Sequence, residues 1–324
     1  MPERPRVAVT RRLPEPALER LGAVADVWIS PHERKLAPAE LHAAVAGAGA
    51  LLTMLHDRVD EALLDAAGPQ LRCVANVAVG YDNVDVAACA RRGVQVTNTP
   101  GVLTDATADV AIGLILAVTR RFGEGERLLR ARKPWSWDFC FQLGTGIQGK
   151  TLGIVGLGEI GRATARRARA FGMEIVYSGR RAVPPEVEAE LGGARRLALV
   201  ELLATADVVS LHCPLTEQTR HLIDAEALRL MRPESYLVNT ARGAVVDEAA
   251  LVEALRAGAI RGAGLDVFER EPELHPGLLE LEGVVLLPHV GSATVETRTA
   301  MAELAVENVL AVLAGEPPPT PIRV

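Results

Sequence analysis

The sequence predicts an α/β protein built from two doubly wound, parallel-sheet domains. Short β-branched runs alternate with amphipathic helical stretches in two separate series, and this alternation gives parallel strands joined by crossover helices. The chain has 324 residues, which exceeds the length at which one hydrophobic core usually stops growing. A glycine-rich turn at the start of the second series indicates where the second domain has its first strand and helix.

The first series occupies about the first hundred residues of the chain. Its strands are predicted at 7–10, 24–29, 50–54, 71–77 and 94–97, and its helices at 14–22, 38–46, 60–67 and 83–92. A long helix is predicted over 104–121, because Thr104 or Asp105 can cap it and acidic residues occupy its first turns. Since its interior is almost entirely apolar, we expect it to be buried, between domains or between subunits.

An irregular stretch over 132–150 concentrates aromatic residues. It holds two of the three tryptophans and two of the five phenylalanines. Aromatic side chains gathered in a loop either cover a site or a partner surface, or form a small satellite core beneath the loop. The sequence leaves both interpretations open.

The second series begins at 151 and runs to the end of the chain. Its strands are predicted at 151–156, 173–178, 207–212, 235–240, 262–267 and 283–288. A last helix near 293–314 is expected to end at Gly315, because the prolines that follow cannot continue it.

Composition excludes several classes of protein. The formal net charge is −6, and this mildly acidic balance argues against a nucleic-acid partner. No apolar run of membrane-spanning length or of signal-peptide type is present, so we expect no membrane contact and a cytoplasmic location. The four cysteines are widely spaced, which predicts reduced thiols, with no disulfide framework and no metal site.

The glycine-rich turn has the pattern of a dinucleotide site. Gly156, Gly158 and Gly161 form G-x-G-x-x-G around Glu159 and Ile160, directly after a predicted strand and at the start of a predicted helix. The glycines permit a tight turn, a close approach to pyrophosphate and close packing of helix on strand, and the helix N-terminus offers free N–H groups to the anion. The alternative is an ordinary glycine-rich turn without a ligand. The strand before the turn and the helix after it favour the dinucleotide site over this alternative.

The end of the next strand indicates which dinucleotide is bound. NAD enzymes usually have Asp or Glu there, whereas this chain reads Ser178-Gly179-Arg180-Arg181. A carboxylate would repel a 2′-phosphate, and guanidinium groups bind phosphate through paired, charge-assisted hydrogen bonds. We therefore predict NADP(H) as the preferred cofactor, with NAD(H) possible. The alternative is that both arginines belong to a solvated face.

Three polar residues follow three late strands of the second series. Arg242, Glu271 and His289 each lie just beyond the carboxyl end of a predicted strand, which is where parallel α/β sheets bind ligands. Arginine can bind a carboxylate and polarise a neighbouring carbonyl, protonated histidine can donate a proton, and a carboxylate can orient the histidine. Singly, each residue is more often structural, so the hypothesis depends on their three complementary roles.

Seven segments spread over nearly the full length of the chain carry a resemblance to a known family. They are VAVGYDNVD (77–85), GVQVTNTPGVLTDATAD (93–109), GIVGLGEIGR (153–162), HCPLTEQT (212–219), NTARGAVVDEAAL (239–251), GAGLDVFEREP (262–272) and LPHVGSAT (287–294). In these segments the chain resembles the D-isomer-specific 2-hydroxyacid dehydrogenases and, within that family, is most similar to glyoxylate/hydroxypyruvate reductases.

The resemblance implies roles for individual residues. His289 would be the general acid/base, Glu271 would pair with it, and Arg242 would bind and polarise the substrate. Backbone N–H groups of Val79 and Gly80 would hold the substrate carboxylate. Asp266 would accept from the nicotinamide carboxamide, and the remaining expected contacts are Cys213, Thr240, Ala241 and Gly291 with the cofactor, and Ser292 and Trp137 with the substrate.

The resemblance also implies the architecture. A Rossmann cofactor domain (103–291) would be inserted into a flavodoxin-like substrate domain (1–102 with 292–324), and the cleft would lie at the hinge. The helix at 104–121 and the aromatic loop would form a two-fold homodimer.

The predicted function is an NADPH-preferring reductase that converts a small 2-oxo acid, glyoxylate or hydroxypyruvate, to glycolate or D-glycerate. Enzymes of the same family that act on D-lactate, D-glycerate, 2-ketogluconate, phosphoglycerate or phosphite remain alternatives. A different class, a dinucleotide-sensing protein similar to corepressors of this fold, would bind the cofactor with little turnover.

Overall fold

A computed structural model describes residues 4–323 of the chain. It divides into two compact units, one formed by the chain up to Leu103 together with the chain from Ser292 onward, the other by Thr104–Gly291. The first boundary lies one residue from the one expected at 102, and the second lies at the expected residue, 291.

The first unit is a five-stranded parallel sheet with the strand order β2-β1-β3-β4-β5. Its strands are β1 (Arg6–Val9), β2 (Asp26–Ile29), β3 (Ala50–Thr53), β4 (Cys73–Asn76) and β5 (Gln95–Thr97). Its helices are α1 (Glu15–Val24), α2 (Pro38–Val45), α3 (Glu61–Ala67), α4 (Val86–Arg91) and α13 (Val295–Ala314). This order is that of flavodoxin-like sheets, so the predicted fold of this unit is confirmed.

Local sequence explains where these helices begin and end. Asp60 accepts from the Leu63 N–H to cap α3, and Asp85 caps α4 in the same way. Helix α13 begins at the capping residue Thr294, packs on α1, β3 and β4, and ends at Gly315 in the left-handed conformation. The strand predicted from residue 24 starts later, because Val24 is the last residue of α1.

The second unit is a seven-stranded parallel sheet with the order β12-β11-β10-β9-β6-β7-β8. Its strands are β6 (Thr151–Val155), β7 (Glu174–Ser178), β8 (Arg195–Arg196), β9 (Val208–Leu211), β10 (Tyr236–Asn239), β11 (Gly262–Leu265) and β12 (Val284–Leu286). The order reverses between β6 and β9, which makes their carboxyl ends the switch point of a Rossmann sheet. The prediction of a Rossmann domain is confirmed.

Eight α-helices accompany this sheet in the described chain. They are α5 (Thr104–Thr119), α6 (Phe122–Arg130), α7 (Glu159–Ala170), α8 (Pro185–Glu190), α9 (Leu199–Thr205), α10 (Ala225–Leu230), α11 (Glu248–Arg256) and α12 (Pro276–Leu279). None of the helices within residues 4–323 combines the length and the apolar character that crossing a membrane requires.

The apolar helix α5 is covered by its own unit. It packs on β10, β11 and β12 and against α7, and its buried residues include Leu114 and Ile115. Asp105, predicted as a possible cap, forms an ion pair with Arg167 of α7 at 2.9 Å, and Asp109 joins the same guanidinium at 2.6 Å. The second unit therefore buries half of this helix, while Val110, Leu116 and Ala117 remain half-buried.

The aromatic loop lies at the surface of the second unit. Trp137 is 78% exposed and Phe139 is 85% exposed, while Trp135 stacks on Phe141 with ring centroids 6.1 Å apart. The preceding helix α6 has no buried residue. This exposure contradicts the interpretation of the loop as a satellite core cluster.

Candidate functional site

The glycine-rich turn connects β6 to α7 and is shaped by close packing. A Cβ at Gly156 would lie 2.7 Å from the Cys213 nitrogen, and one at Gly161 would overlap the Gly156 carbonyl. Gly158, by contrast, has open space where a side chain would project, and no side chain caps the N-terminus of α7. Free amide groups facing open space at a helix N-terminus are a suitable cradle for a pyrophosphate.

Glu159 and Ile160 are the first residues of α7. Glu159 is exposed and Ile160 is half-buried. Their backbone N–H groups belong to the first helical turn, where no carbonyl of the helix can accept from them. These two predicted cofactor residues are thus placed to contribute backbone groups.

The turn after β7 presents two arginines to solvent. Ser178 ends β7 and its carbonyl accepts from the Gly156 N–H at 2.8 Å, so the two predicted cofactor turns adjoin. Gly179 is half-buried, and Arg180 and Arg181 are exposed. The turn therefore offers guanidinium groups and a hydroxyl, which suit a phosphate.

A third arginine, absent from the sequence-based prediction, holds this turn. Nη2 of Arg196 donates to the Gly179 carbonyl at 2.8 Å and to the Arg180 carbonyl at 3.2 Å. Arg196 lies on β8, the edge strand that pairs with β7. The two-residue strand of exposed arginines has no strand-like hydrophobic pattern, so nothing in the sequence indicated that it adjoins the turn.

Arg242, Glu271 and His289 follow three adjacent strands, β10, β11 and β12. Glu271 Oε2 lies 2.7 Å from His289 Nδ1, and Glu271 Oε1 accepts from the Phe268 N–H at 3.0 Å. Because an ionised carboxylate only accepts, Nδ1 carries the hydrogen of this contact and Nε2 is left for other partners. The structure thus brings the predicted Glu and His into direct contact.

The charge state of Glu271 follows from opposing influences. Burial alone would raise the pKa of this carboxyl, but the hydrogen bond from His289 and the positive charges of His289 and Arg242 hold it below its ordinary value. Glu271 is therefore ionised near neutral pH.

Arg242 is held in place by two hydrogen bonds to backbone carbonyl groups. Its carbonyl accepts from Asn239 Nδ2 at 2.9 Å, and its Nη1 donates to the Ala241 carbonyl at 2.9 Å. A Cβ on the next residue, Gly243, would overlap the Phe268 carbonyl, so only glycine lets this segment pack against the loop that carries Glu271. Sequence reasoning missed Asn239, whose side chain turns back onto its own segment.

Asp266 fixes the turn that carries His289. Its carboxylate accepts from the Val290 N–H at 2.7 Å and from the Gly291 N–H at 2.8 Å, and its carbonyl accepts from the His289 N–H at 2.9 Å. Burial raises the pKa of Asp266, while the two amide hydrogen bonds oppose that rise. These bonds hold His289 in the left-handed backbone conformation, with φ of 54°.

The other predicted cofactor residues lie at the ends of β9 and β10. Burial raises the pKa of the Cys213 thiol to about 11, which keeps it neutral. The Thr240 hydroxyl is buried, and the described part of the chain provides no hydrogen-bond partner for it. An orphan hydroxyl of this kind is what a bound polar ligand would satisfy, whereas Ala241 is half-buried and offers backbone groups only.

The remaining predicted substrate residues belong to the first unit or to the aromatic loop. Val79 and Gly80 are half-buried in the loop after β4 of the first unit, and Ser292 is the residue with which that unit resumes. Trp137 belongs to the exposed aromatic loop. Within residues 4–323, no group of three or more potential metal ligands is found.

The chain is similar to known proteins over most of its length. Residues 112–291 match the family model described as "D-isomer specific 2-hydroxyacid dehydrogenase, NAD binding domain". The glyoxylate reductase of Thermococcus kodakarensis is 50% identical over 321 residues, which cover 98% of this chain and 96% of that protein.

Solved structures resemble the chain over its full length. A protein from Thermus thermophilus has 48% sequence identity and a TM-score of 0.90, with 98% of this chain and 100% of that chain covered. The NADPH-dependent glyoxylate/hydroxypyruvate reductase of Sinorhizobium meliloti, crystallised with NADP and malonate, has 39% identity and a TM-score of 0.86, with coverage of 99% and 97%. The predicted family and enzyme class are confirmed. The chain belongs to the D-isomer-specific 2-hydroxyacid dehydrogenase family, and it is an NAD(P)-dependent oxidoreductase that acts on a CH–OH group.

Proposed function

We propose that the protein is an NADPH-preferring reductase of small 2-oxo acids, which converts glyoxylate to glycolate and hydroxypyruvate to D-glycerate. The observation that carries the proposal is the 2.7 Å contact between Glu271 and His289 at the carboxyl ends of adjacent parallel strands, with Arg242 after the neighbouring strand β10. The curated relative from Thermococcus kodakarensis, named a glyoxylate reductase, supports the choice of substrate.

Each polar group has a defined task in this reaction. A nicotinamide cofactor would be held by the glycine-rich turn and by the residues after β9 and β10, and it would supply the hydride that reduces the carbonyl carbon. This reduction would leave negative charge on the carbonyl oxygen. His289 in its protonated form donates a proton from Nε2 to that oxygen, which completes the hydroxyl. Glu271 stabilises the positive ring during this step, and Arg242 binds and polarises the oxo acid. His289→Ala is expected to lose about 10²–10⁴-fold in turnover.

The remaining predicted contacts complete the proposal. The Val79 and Gly80 amides would bind the substrate carboxylate, with Ser292 and Trp137 as further substrate contacts. Asp266 would accept from the carboxamide in addition to its two amide bonds, since each carboxylate oxygen has two acceptor positions. Cys213, Thr240, Ala241 and Gly291 would line the cofactor.

The preference for NADPH is supported by the turn after β7. Ser178, Arg180 and Arg181 present a hydroxyl and two guanidinium groups, and Arg196 holds the backbone between them. These groups suit a 2′-phosphate, while NADH, which lacks that phosphate, would bind more weakly and still be used.

The test measures the rate at which NADPH is oxidised with glyoxylate, hydroxypyruvate, pyruvate or 2-ketogluconate as substrate. The same rates are then measured with NADH. Fast turnover of the two small acids with NADPH supports the proposal. The double variant Arg180→Ala/Arg181→Ala should weaken NADPH far more than NADH, whereas Arg195→Ala, on the neighbouring strand, should change neither. Equal losses for both cofactors would remove the argument for NADPH.

We also propose that the protein is a homodimer in the cytoplasm. The exposed apolar side chains of α6 and the aromatic loop, among them Phe122 and Phe139, offer a surface that a second copy would cover. The four cysteines are unpaired, as expected for a reducing compartment. Light scattering should give a dimer mass for the protein and a monomer mass for Phe139→Asp; a monomeric wild type contradicts this assembly.

A further inference from the structure

Two successive carbonyl groups in the first unit are bound to the same neighbouring segment. The Ala78 carbonyl accepts from the Thr99 N–H at 2.9 Å, and the Val79 carbonyl accepts from Asn98 Nδ2 at 2.8 Å. Both donors follow directly after β5. In a trans peptide the C=O and N–H point in opposite directions. The N–H groups of Val79 and Gly80, which share peptide planes with these carbonyls, therefore both face away from Asn98 and Thr99.

A second asparagine holds the next peptide. Asn76 Nδ2 donates to the Gly80 carbonyl at 2.9 Å. Asn76 is completely buried at the end of β4, and its Oδ1 accepts from Asn83 at 3.1 Å and from Thr53 at 3.3 Å. Because these partners occupy its amide on several sides, Asn76 is a rigid support for the loop.

The two amides that face outward have no internal acceptor. Across residues 4–323, the structure shows no hydrogen bond from the N–H of Val79 or of Gly80, although both residues are half-buried. Backbone N–H groups in such surroundings need an acceptor from outside, either water or a ligand. Two adjacent N–H donors with a common direction match the two oxygens of a carboxylate.

We infer that Asn98 and Asn76 are positioning residues for the carboxylate of the substrate. Asn98 binds the carbonyl of Val79 and so fixes the peptide plane that carries the Gly80 N–H. Asn76 binds the carbonyl of Gly80 and so holds the next peptide, which keeps the loop in place on the other side of that N–H. This inference rests on the proposed function, which assigns the carboxylate to these two amides. Donors fixed in advance need not be reoriented when the 2-oxo acid binds, so the benefit appears as substrate affinity.

The critical variant is Asn98→Ala, which removes the donor to the Val79 carbonyl and leaves the remaining loop contacts in place. We expect the KM for glyoxylate to rise about 10-fold, because a hydrogen bond to a charged group loses its aligned donor. The dissociation constant of NADPH, measured by fluorescence, should be unchanged. Asn98→Gln, which retains an amide donor on a longer side chain, should recover part of the loss.

Gln95→Ala is the matched control. Gln95 lies on β5, and its amide donates to the Val96 backbone carbonyl at 3.0 Å, without a hydrogen bond to the 78–80 loop. Its removal costs the same kind of bond, so it should affect the melting temperature as Asn98→Ala does and leave KM unchanged. A second readout is the rise in melting temperature that malonate, a dicarboxylate, produces in the NADPH-bound protein. Asn98→Ala should diminish that rise.

The outcomes separate this inference from the proposed function. If wild type reduces glyoxylate and Asn98→Ala has a normal KM and a normal response to malonate, the positioning role is wrong and the function stands. An equal rise of KM in Gln95→Ala, or an equal loss of NADPH affinity, indicates general destabilisation and overturns the inference. If wild type reduces none of the 2-oxo acids, the proposed function fails, and the malonate response alone decides whether Asn98 orients a carboxylate site.

Discussion

The pairing of Glu271 with His289 can be tested by Glu271→Gln, which preserves size and removes charge. The carboxylate accepts two hydrogen bonds, from His289 Nδ1 at 2.7 Å and from the Phe268 N–H at 3.0 Å. A glutamine has one oxygen and one NH₂ group, so it can accept from only one of these donors. If its oxygen remains with Phe268, its NH₂ faces Nδ1, and a protonated ring would then place two donors against each other.

The expected loss of rate can be worked out from the free energy of the hydrogen bond that Glu271→Gln removes. A hydrogen bond to a charged group contributes about 1.5–3 kcal/mol, against about 0.5–1.5 kcal/mol for a neutral one. Losing the charged bond to a partly buried imidazolium therefore costs about 1.5–3 kcal/mol of transition-state stabilisation. At about 1.4 kcal/mol per tenfold change in rate, kcat for reduction should fall about 10- to 100-fold.

The assay is kcat/KM for oxo-acid reduction with NADPH between about pH 5 and about pH 9. Reduction needs a proton donor in a fixed position, and Glu271→Gln removes the charged partner that holds the ring of His289. The variant should therefore have a lower kcat/KM than wild type across this whole range. Glu269→Gln is the control, because Glu269 pairs with His221 at 2.8 Å in the same loop and has no contact with His289.

A near-normal rate for Glu271→Gln across this pH range would refute the role of this carboxylate. A loss of the same size in Glu269→Gln would mean that general electrostatics of the loop cause the effect. In either case, His289 would need another group to hold its ring.

Three further outcomes follow from the structure. Arg196→Ala removes the two hydrogen bonds to the turn after β7, so it should raise the dissociation constant of NADPH several-fold more than that of NADH. Arg195→Ala, the control, should change neither dissociation constant. Unchanged NADPH binding in Arg196→Ala would contradict a supporting role for this arginine. The lowered pKa of Glu271 means that its pairing stabilises the fold fully above about pH 4.5, and that this stability is lost as pH falls through the lower folded-state value. The difference in unfolding free energy between wild type and Glu271→Gln should therefore shrink below that pH, and a constant difference would contradict the ionised pair. Gly243→Ala should destabilise the protein by about 3 kcal/mol in chemical denaturation, because its methyl group would overlap the Phe268 carbonyl. Gly113→Ala is the control, because a methyl group at this position in α5 meets open space. This variant should be as stable as wild type or more stable.

The fold was predictable because its signals are local and repeated. Each buried parallel strand is a short apolar run, and Asp60, Asp85 and Thr294 are recognisable helix caps. The strand β8 was missed because its two residues are exposed arginines at the sheet edge, where no alternation of apolar and polar residues is required. The position of the aromatic loop, core or surface, could not be decided because apolar residues look alike in either place.

The residues of the candidate site could be predicted from the sequence. The hydrogen bonds that hold these residues in place could not. Arg242, Glu271 and His289 could be found because each follows a strand, and the order of the strands places them together. Asn98, Asn76 and Asn239 carry no such signal, because what matters is which backbone carbonyl each side chain reaches after folding. These contacts bring together segments that are distant in sequence or turn a side chain onto its own segment, and neither periodicity nor spacing encodes them.

The hydrogen bonds that hold the site residues in place have one feature in common. Glu271 is held by the Phe268 N–H, the turn of His289 by the carboxylate of Asp266, and the carbonyl of Arg242 by Asn239. In each case a backbone group is one partner of the bond, so the orientation of the polar side chains depends on the paths of β10 and β11 and the loops that follow them. A substitution that displaces either strand should consequently reduce turnover even when all three side chains remain, because geometry errors of about 1 Å can cost about 100-fold in rate.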